Sequence, residues 1–90
     1  MSAHLTPAKI RASLRHLDAE LYDETIPFEA TAARLLSVTD TVAQMIASNL
    51  GRLPGDVALL IAKAQGAVLR RDLLAARDYI LDALAGLGRR

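Results

Sequence analysis

The stretch LPGDVALLIAKAQGAVLRRDLLAARDYILDAL, residues 53–84, decides the fold. It opens on Leu53-Pro54-Gly55-Asp56, where proline and glycine supply turn geometry and Asp56 has the side chain of a helix N-cap. Val57 to Leu69 then runs apolar, interrupted only by Lys63, Gln65 and Gly66. A helix apolar nearly all round belongs in the middle of a core. Arg70 and Arg71 follow at its C-terminal end, where cations suit the helix dipole. Asp72 is placed to cap a further helix, Leu73 to about Ala85, which Gly86 and Gly88 end. Its inner stripe is Leu73, Ala76, Ile80 and Leu84, while Leu74 and Leu81 lie on a second side.

Composition extends this helical reading to the whole chain. Ninety residues make one small domain, and 17 alanines with 16 leucines fill over a third of it. These are the best intrinsic helix formers, whereas strand-favouring aromatics number three: Tyr22, Phe28 and Tyr79. The expected fold is therefore all-α, an antiparallel bundle of about four helices joined by helix-turn-helix corners. Residues 1–5 and 87–90 are expected to fray. Cysteine is absent, which excludes disulfide scaffolds and thiolate chemistry.

Two helices precede the deciding stretch. Thr6-Pro7 opens the first, as N-cap and first helical residue. Ile10, Leu14, Leu17 and Leu21 form its narrow apolar stripe. Its polar face carries Lys9, Arg11 and Arg15 first, then Asp18, Glu20, Asp23 and Glu24. In one continuous helix this order opposes the dipole, by about 0.3–1 kcal/mol for each charge near an end. The second helix opens at Thr25 or Ile26 before Pro27 and runs to about Leu50, where Gly51 and Pro54 stop it. Its inner stripe is Phe28, Ala32, Leu35, Thr39, Val42, Ile46, Asn49 and Leu53. Ser37-Val38-Thr39-Asp40-Thr41 is rich in residues that prefer caps and turns, so it leaves the continuity of that helix open.

Net charge is +1, so no overall field selects nucleic acid or an anionic membrane. Residues 1–45 sum to −2 and residues 46–90 to +3, a mild asymmetry that suits charge pairing within a bundle or head-to-tail contact between chains. The apolar run 57–69 spans about 20 Å as a helix, short of a hydrocarbon core of about 30 Å. No basic flank with an apolar core and cleavage site opens the chain, and a cytoplasmic location is expected.

Two segments resemble known helical motifs. Ala64, Asp72, Ala76, Ile80, Ala83 and Leu84 give residues 57–88 a resemblance to one tetratricopeptide-type hairpin. That resemblance implies small residues where two helices cross closely. Leu60 and Ala67 stand where the family has aromatics, and Gly88 where it has proline. Ile46, Ala47, Leu50, Gly51, Val57 and Ile61 resemble the packing positions of a DNA-binding helix-turn-helix. The recognition helix it implies, 56–67, offers Ala58, Leu59, Leu60 and Ala62 outward, with only Lys63 and Gln65 to contact DNA.

Catalytic and metal chemistry find little support. His16 and Glu20, four apart, present two ligands on one face, too few for a zinc site. Asp18, Glu20, Asp23 and Glu24 read as a solvated face, because acid–base work needs a desolvated pocket. No phosphate-cradling loop or nucleophile–base arrangement is present in the sequence. The expectation is a protein that is no enzyme and holds no cofactor or metal.

The surplus lies in apolar residues. Leu36, Ala43, Ala47 and Leu50 make a second stripe on the second helix, Leu74 and Leu81 one on the fourth, and the third helix is apolar on all sides, more faces than a four-helix monomer can cover. A domain of this size buries only about 60–65% of its unfolded surface. The expected function is protein–protein interaction, as an adaptor, assembly factor or secretion-type chaperone, with a protein partner or a second copy covering these faces. Leu36, Leu50, Leu74 and Leu81 are the expected contact residues, rimmed by Asp18, Asp23 and Glu24. A small helix-turn-helix DNA-binding regulator using residues 46–61 is the alternative.

Overall fold

The structure, a computed structural model, describes residues 6–88, and side chains as far as residue 86. It is an all-α bundle: α1 Pro7–Arg15, α2 Leu17–Tyr22, α3 Phe28–Leu50, α4 Gly55–Leu69 and α5 Leu73–Gly88. Residues 1–5, 89 and 90, expected to fray, lie outside the described residues. Helix α5 continues through Gly86 to Gly88, past the expected stop at Ala85.

The expected first helix is broken at His16, whose φ of −93° and ψ of 8° interrupt the helical geometry. The charge order supplies the reason. Arg15 becomes the last turn of α1, and Asp18 and Glu20 the first turn of α2. Charges that oppose the dipole of one helix are well placed in two. The apolar stripe survives the break, with Ile10, Leu14 and Leu17 all buried. Thr6 caps α1 as expected, its Oγ1 accepting the Lys9 N–H at 3.2 Å.

Helix α3 is continuous through Ser37–Thr41. Thr39 Oγ1 donates to the Leu35 carbonyl at 2.7 Å, and Thr41 Oγ1 to that of Ser37 at 3.0 Å. The hydroxyls thus bond within the helix and do not compete with it. Its N-cap is Pro27, not Thr25 or Ile26, because the preceding residues form their own turn. The Asp23 carboxylate accepts both the N–H (2.9 Å) and the hydroxyl (2.6 Å) of Thr25. Pro54 likewise caps α4, which moves Asp56 into the first turn. At the inner stripe, Thr31 is buried while Ala32 is only half-buried, and Asn49 is exposed near the helix end.

Arg70-Arg71-Asp72 joins α4 to α5. Arg71 has a φ of 67°, the left-handed conformation that glycine usually takes after a helix. The Asp72 N–H reaches the Ala67 carbonyl (2.9 Å) and the Arg71 N–H that of Val68 (3.0 Å), the two bonds of a Schellman motif. Asp72 then caps α5, accepting the Ala75 N–H at 3.1 Å. The reversal holds α4 and α5 together through Ala64, Ala67, Ala76 and Ala83, all fully buried.

One core joins the segments, centred on Leu14, Leu17, Leu35, Val42, Ile46, Val57, Ile80 and Leu84. The molecule measures 41 × 32 × 20 Å, about two helices thick. No helix can be surrounded in such a slab, and this overturns the expectation for the apolar α4. It buries Val57, Ile61, Ala64, Ala67 and Val68, but Leu59 is 56% and Leu69 79% exposed.

Candidate interaction surfaces

The expected contact residues divide between two surfaces. Leu36 and Leu50 lie on one flank of α3, with Ala43 and Ala47 between them by helical spacing. The opposite flank of α3 carries Arg34, which reaches α2. On α4, Lys63 faces α5, its Nζ 5.9 Å from the Tyr79 ring centre. Ala58, Ala62 and Leu69 occupy the other flank. These two flanks, the α3 one turned from α2 and the α4 one from α5, make up the α3–α4 face, while Leu59 lies nearer the Lys63 side of α4. Leu36 is exposed there, whereas Leu50 is half-buried against the core. Leu59 and Leu69 add more open apolar surface than the expected pair. In a run apolar on all sides, no periodicity singles out Leu59 or Leu69 as the residues left open. At one end of this face the Arg71 guanidinium sits 5.0 Å from the Phe28 ring centre and 3.8 Å from Glu29.

Leu74 and Leu81 belong to the other side of the molecule. They share a flank of α5 with Arg77, the flank that meets α1 and α2. Leu74 is exposed, and Leu81 is half-buried against the core. Leu81 also lines an open groove of about 400 Å³ between α1 and α5, with Leu14, Arg11, Arg15, Arg77 and Asp78. Sequence reading took Arg11 and Arg15 only as the basic face of a helix and did not place Arg77. Their four-residue spacing was visible, but the third arginine joins them only once α5 has docked.

The acidic rim also divides. Asp18 accepts Arg77 Nη1 at 2.9 Å, tying α2 to α5 beside the groove. Asp23 uses Oδ1 for its turn, and the Thr25 hydroxyl, then the Thr25 N–H, hold its pKa below the ordinary aspartate value. Glu24 is exposed beside it. Glu20 does not pair with His16. It takes a bidentate ion pair from Arg34, with Arg34 Nη1 on Oε1 at 2.6 Å and Nη2 on Oε2. His16 is exposed at the break, and among the described residues no group of three or more metal-ligating side chains assembles. No helix of the described residues is long and apolar enough to cross a membrane.

No protein-family description, curated protein or solved structure matches this chain.

Proposed function

We propose that the protein is a small helical interaction module whose α3–α4 face receives an amphipathic helix of a partner protein. The observation that carries this reading is the exposure of Leu59 and Leu69 on α4 and of Leu36 on α3. Covering Leu59 and Leu69 alone contributes about 2–4 kcal/mol, by the usual value of burying an aliphatic side chain. A partner helix with apolar residues three and four apart supplies the complementary ridge. The role of adaptor, assembly factor or chaperone follows from what that partner is. No substrate pocket or cofactor enters this reading.

The DNA-binding alternative has less support. The outward side of α4 offers Leu59, Ala62 and Leu69 where base and phosphate contacts belong, and Lys63 is turned onto Tyr79.

A photo-crosslinking residue at position 69, in cells of the native host, tests the proposal. A discrete covalent adduct is expected there and none from position 52, on the exposed α3–α4 turn. No adduct at position 69, or equal adducts at both, overturns it.

A further inference from the structure

The α1–α5 groove and the tip of α2 have complementary chemistry. The groove has an aliphatic floor, Leu14 and Leu81, and walls bearing Arg11, Arg15 and Arg77. Arg77 is already held, by Asp18 at 2.9 Å and by Asp78 at 3.2 Å. Arg11 and Arg15 are exposed and take no carboxylate among the described residues. Four residues apart on α1, they stand one turn from each other over the groove.

Tyr22 ends α2 and is 87% exposed, the most exposed large apolar side chain among the described residues. Asp23 and Glu24 follow it, both exposed. The Thr25 bonds hold the Asp23 pKa below the ordinary aspartate value. The tip thus offers one aromatic ring and two carboxylates. The groove offers apolar depth and two uncommitted guanidiniums, which bind carboxylates in a planar fork and stack on aromatic faces.

The tip cannot fill the groove of its own chain. Buried Leu17 fixes α2 to the core, Glu20 is tied to Arg34, and Asp18 holds the near end of α2 at Arg77. We propose that the Tyr22-Asp23-Glu24 tip of one copy inserts into the Arg11–Arg15–Arg77 groove of a second copy, giving head-to-tail self-association. The near-neutral chain raises little long-range repulsion between copies. Asp18 and Asp78 beside the groove disfavour a polyanion such as nucleic acid, while two single carboxylates match the two free arginines. A head-to-tail contact does not saturate at two copies: it closes into a ring or extends. The contact is small, so association is salt-sensitive and belongs to the weak class.

This surface is independent of the α3–α4 face, and the test separates them. Sedimentation is followed over rising concentration in the full chain carrying Leu59→Asp and Leu69→Asp, which silences the other face. A groove variant adds Arg11→Glu and Arg15→Glu, and a tip variant adds Tyr22→Ser and Glu24→Lys. Each variant alone is expected to stay monomeric. Their equimolar mixture is expected to form a dimer and stop there, because one intact tip meets one intact groove. Should the charge reversal unfold α1, judged by circular dichroism, Arg11→Gln with Arg15→Gln replaces it and weakens association about tenfold, as expected for two exposed ion pairs. The proposal is overturned if the parent stays monomeric at millimolar concentration, including when the groove instead binds a free acidic peptide. It is equally overturned if either variant associates like the parent, or if the mixture fails to dimerise.

Discussion

Replacing Arg71 separates two effects that meet at one residue. Its left-handed φ costs a non-glycine residue about 1–2 kcal/mol. Glycine avoids that cost but carries about 0.5–1 kcal/mol more conformational entropy in the unfolded chain than alanine. Arg71→Gly is therefore expected to be more stable than Arg71→Ala by about 0.5–1 kcal/mol. The arginine recovers part of its strain through its side chain. The guanidinium lies 5.0 Å from the Phe28 ring centre, an exposed cation–π contact worth about 0.5–1 kcal/mol. The Glu29 contact is long and both groups are mostly exposed, so it adds almost nothing. The expected order is wild type close to Arg71→Gly, with Arg71→Ala below both. For a domain of this size the alanine variant then melts about 3–6 °C lower, measurable by circular dichroism at 222 nm. Phe28→Leu removes the advantage of arginine over alanine and leaves the glycine–alanine gap unchanged. If alanine equals or exceeds glycine at this position, the left-handed turn is not the conformation in solution.

Other substitutions test the framework that holds the two surfaces. Leu14→Ala, beneath the groove, is expected to cost about 2–5 kcal/mol in urea unfolding, because Leu14 is fully buried and leaves a cavity. A double-mutant cycle of Glu20→Gln and Arg34→Leu is expected to give a coupling of about 1 kcal/mol, between the exposed and buried limits because water reaches Arg34. Thr39→Val is expected to change stability by no more than about 1 kcal/mol, since its buried hydroxyl bonds only a carbonyl within its own helix. The Asp23 carboxyl, followed by carbon-13 NMR, is expected to titrate below about 3.9, and Thr25→Ala to raise its midpoint. Because its folded pKa is depressed, the contribution of that turn is present above the unfolded pKa and is lost as pH falls through the folded one.

Periodicity carried the reading wherever burial depends on a single helix face. Ile10, Leu14 and Leu17, or Leu35, Thr39, Val42 and Ile46, recur at three and four residues and are buried for that reason. It failed where burial depends on how many neighbours a helix has. Leu59 and Leu69 are as apolar as Ile61, but a slab two helices thick leaves them without a neighbour. The reversed charge order of residues 9–24 opposes one continuous helix and suits the boundary at His16, but by itself it does not place that boundary. The groove was the least legible feature. Arg77 and Asp18 are 59 residues apart, and only the docking of α5 against α1 and α2 brings them together.

The thinness of the molecule and its two dissimilar surfaces have one cause. A fold of this length has too few segments to cover both sides of α4, so leucines stay open on the α3–α4 face. On the other side the short α1 and α2 are divided at His16, and cover α5 only in part. The uncovered part of α5 borders a groove lined by Leu14 and Leu81 and by Arg11, Arg15 and Arg77, the last held by Asp18 and Asp78. One surface thus exposes mainly leucines and the other a groove with a charged margin. The first favours a partner chosen by shape and aliphatic area. The second discriminates by carboxylate placement, because an unmatched guanidinium desolvated against Leu14 is costly. The two proposed contacts differ in selectivity, so together they would let one chain hold a partner through α3–α4 while chaining to its own copies through α1–α5.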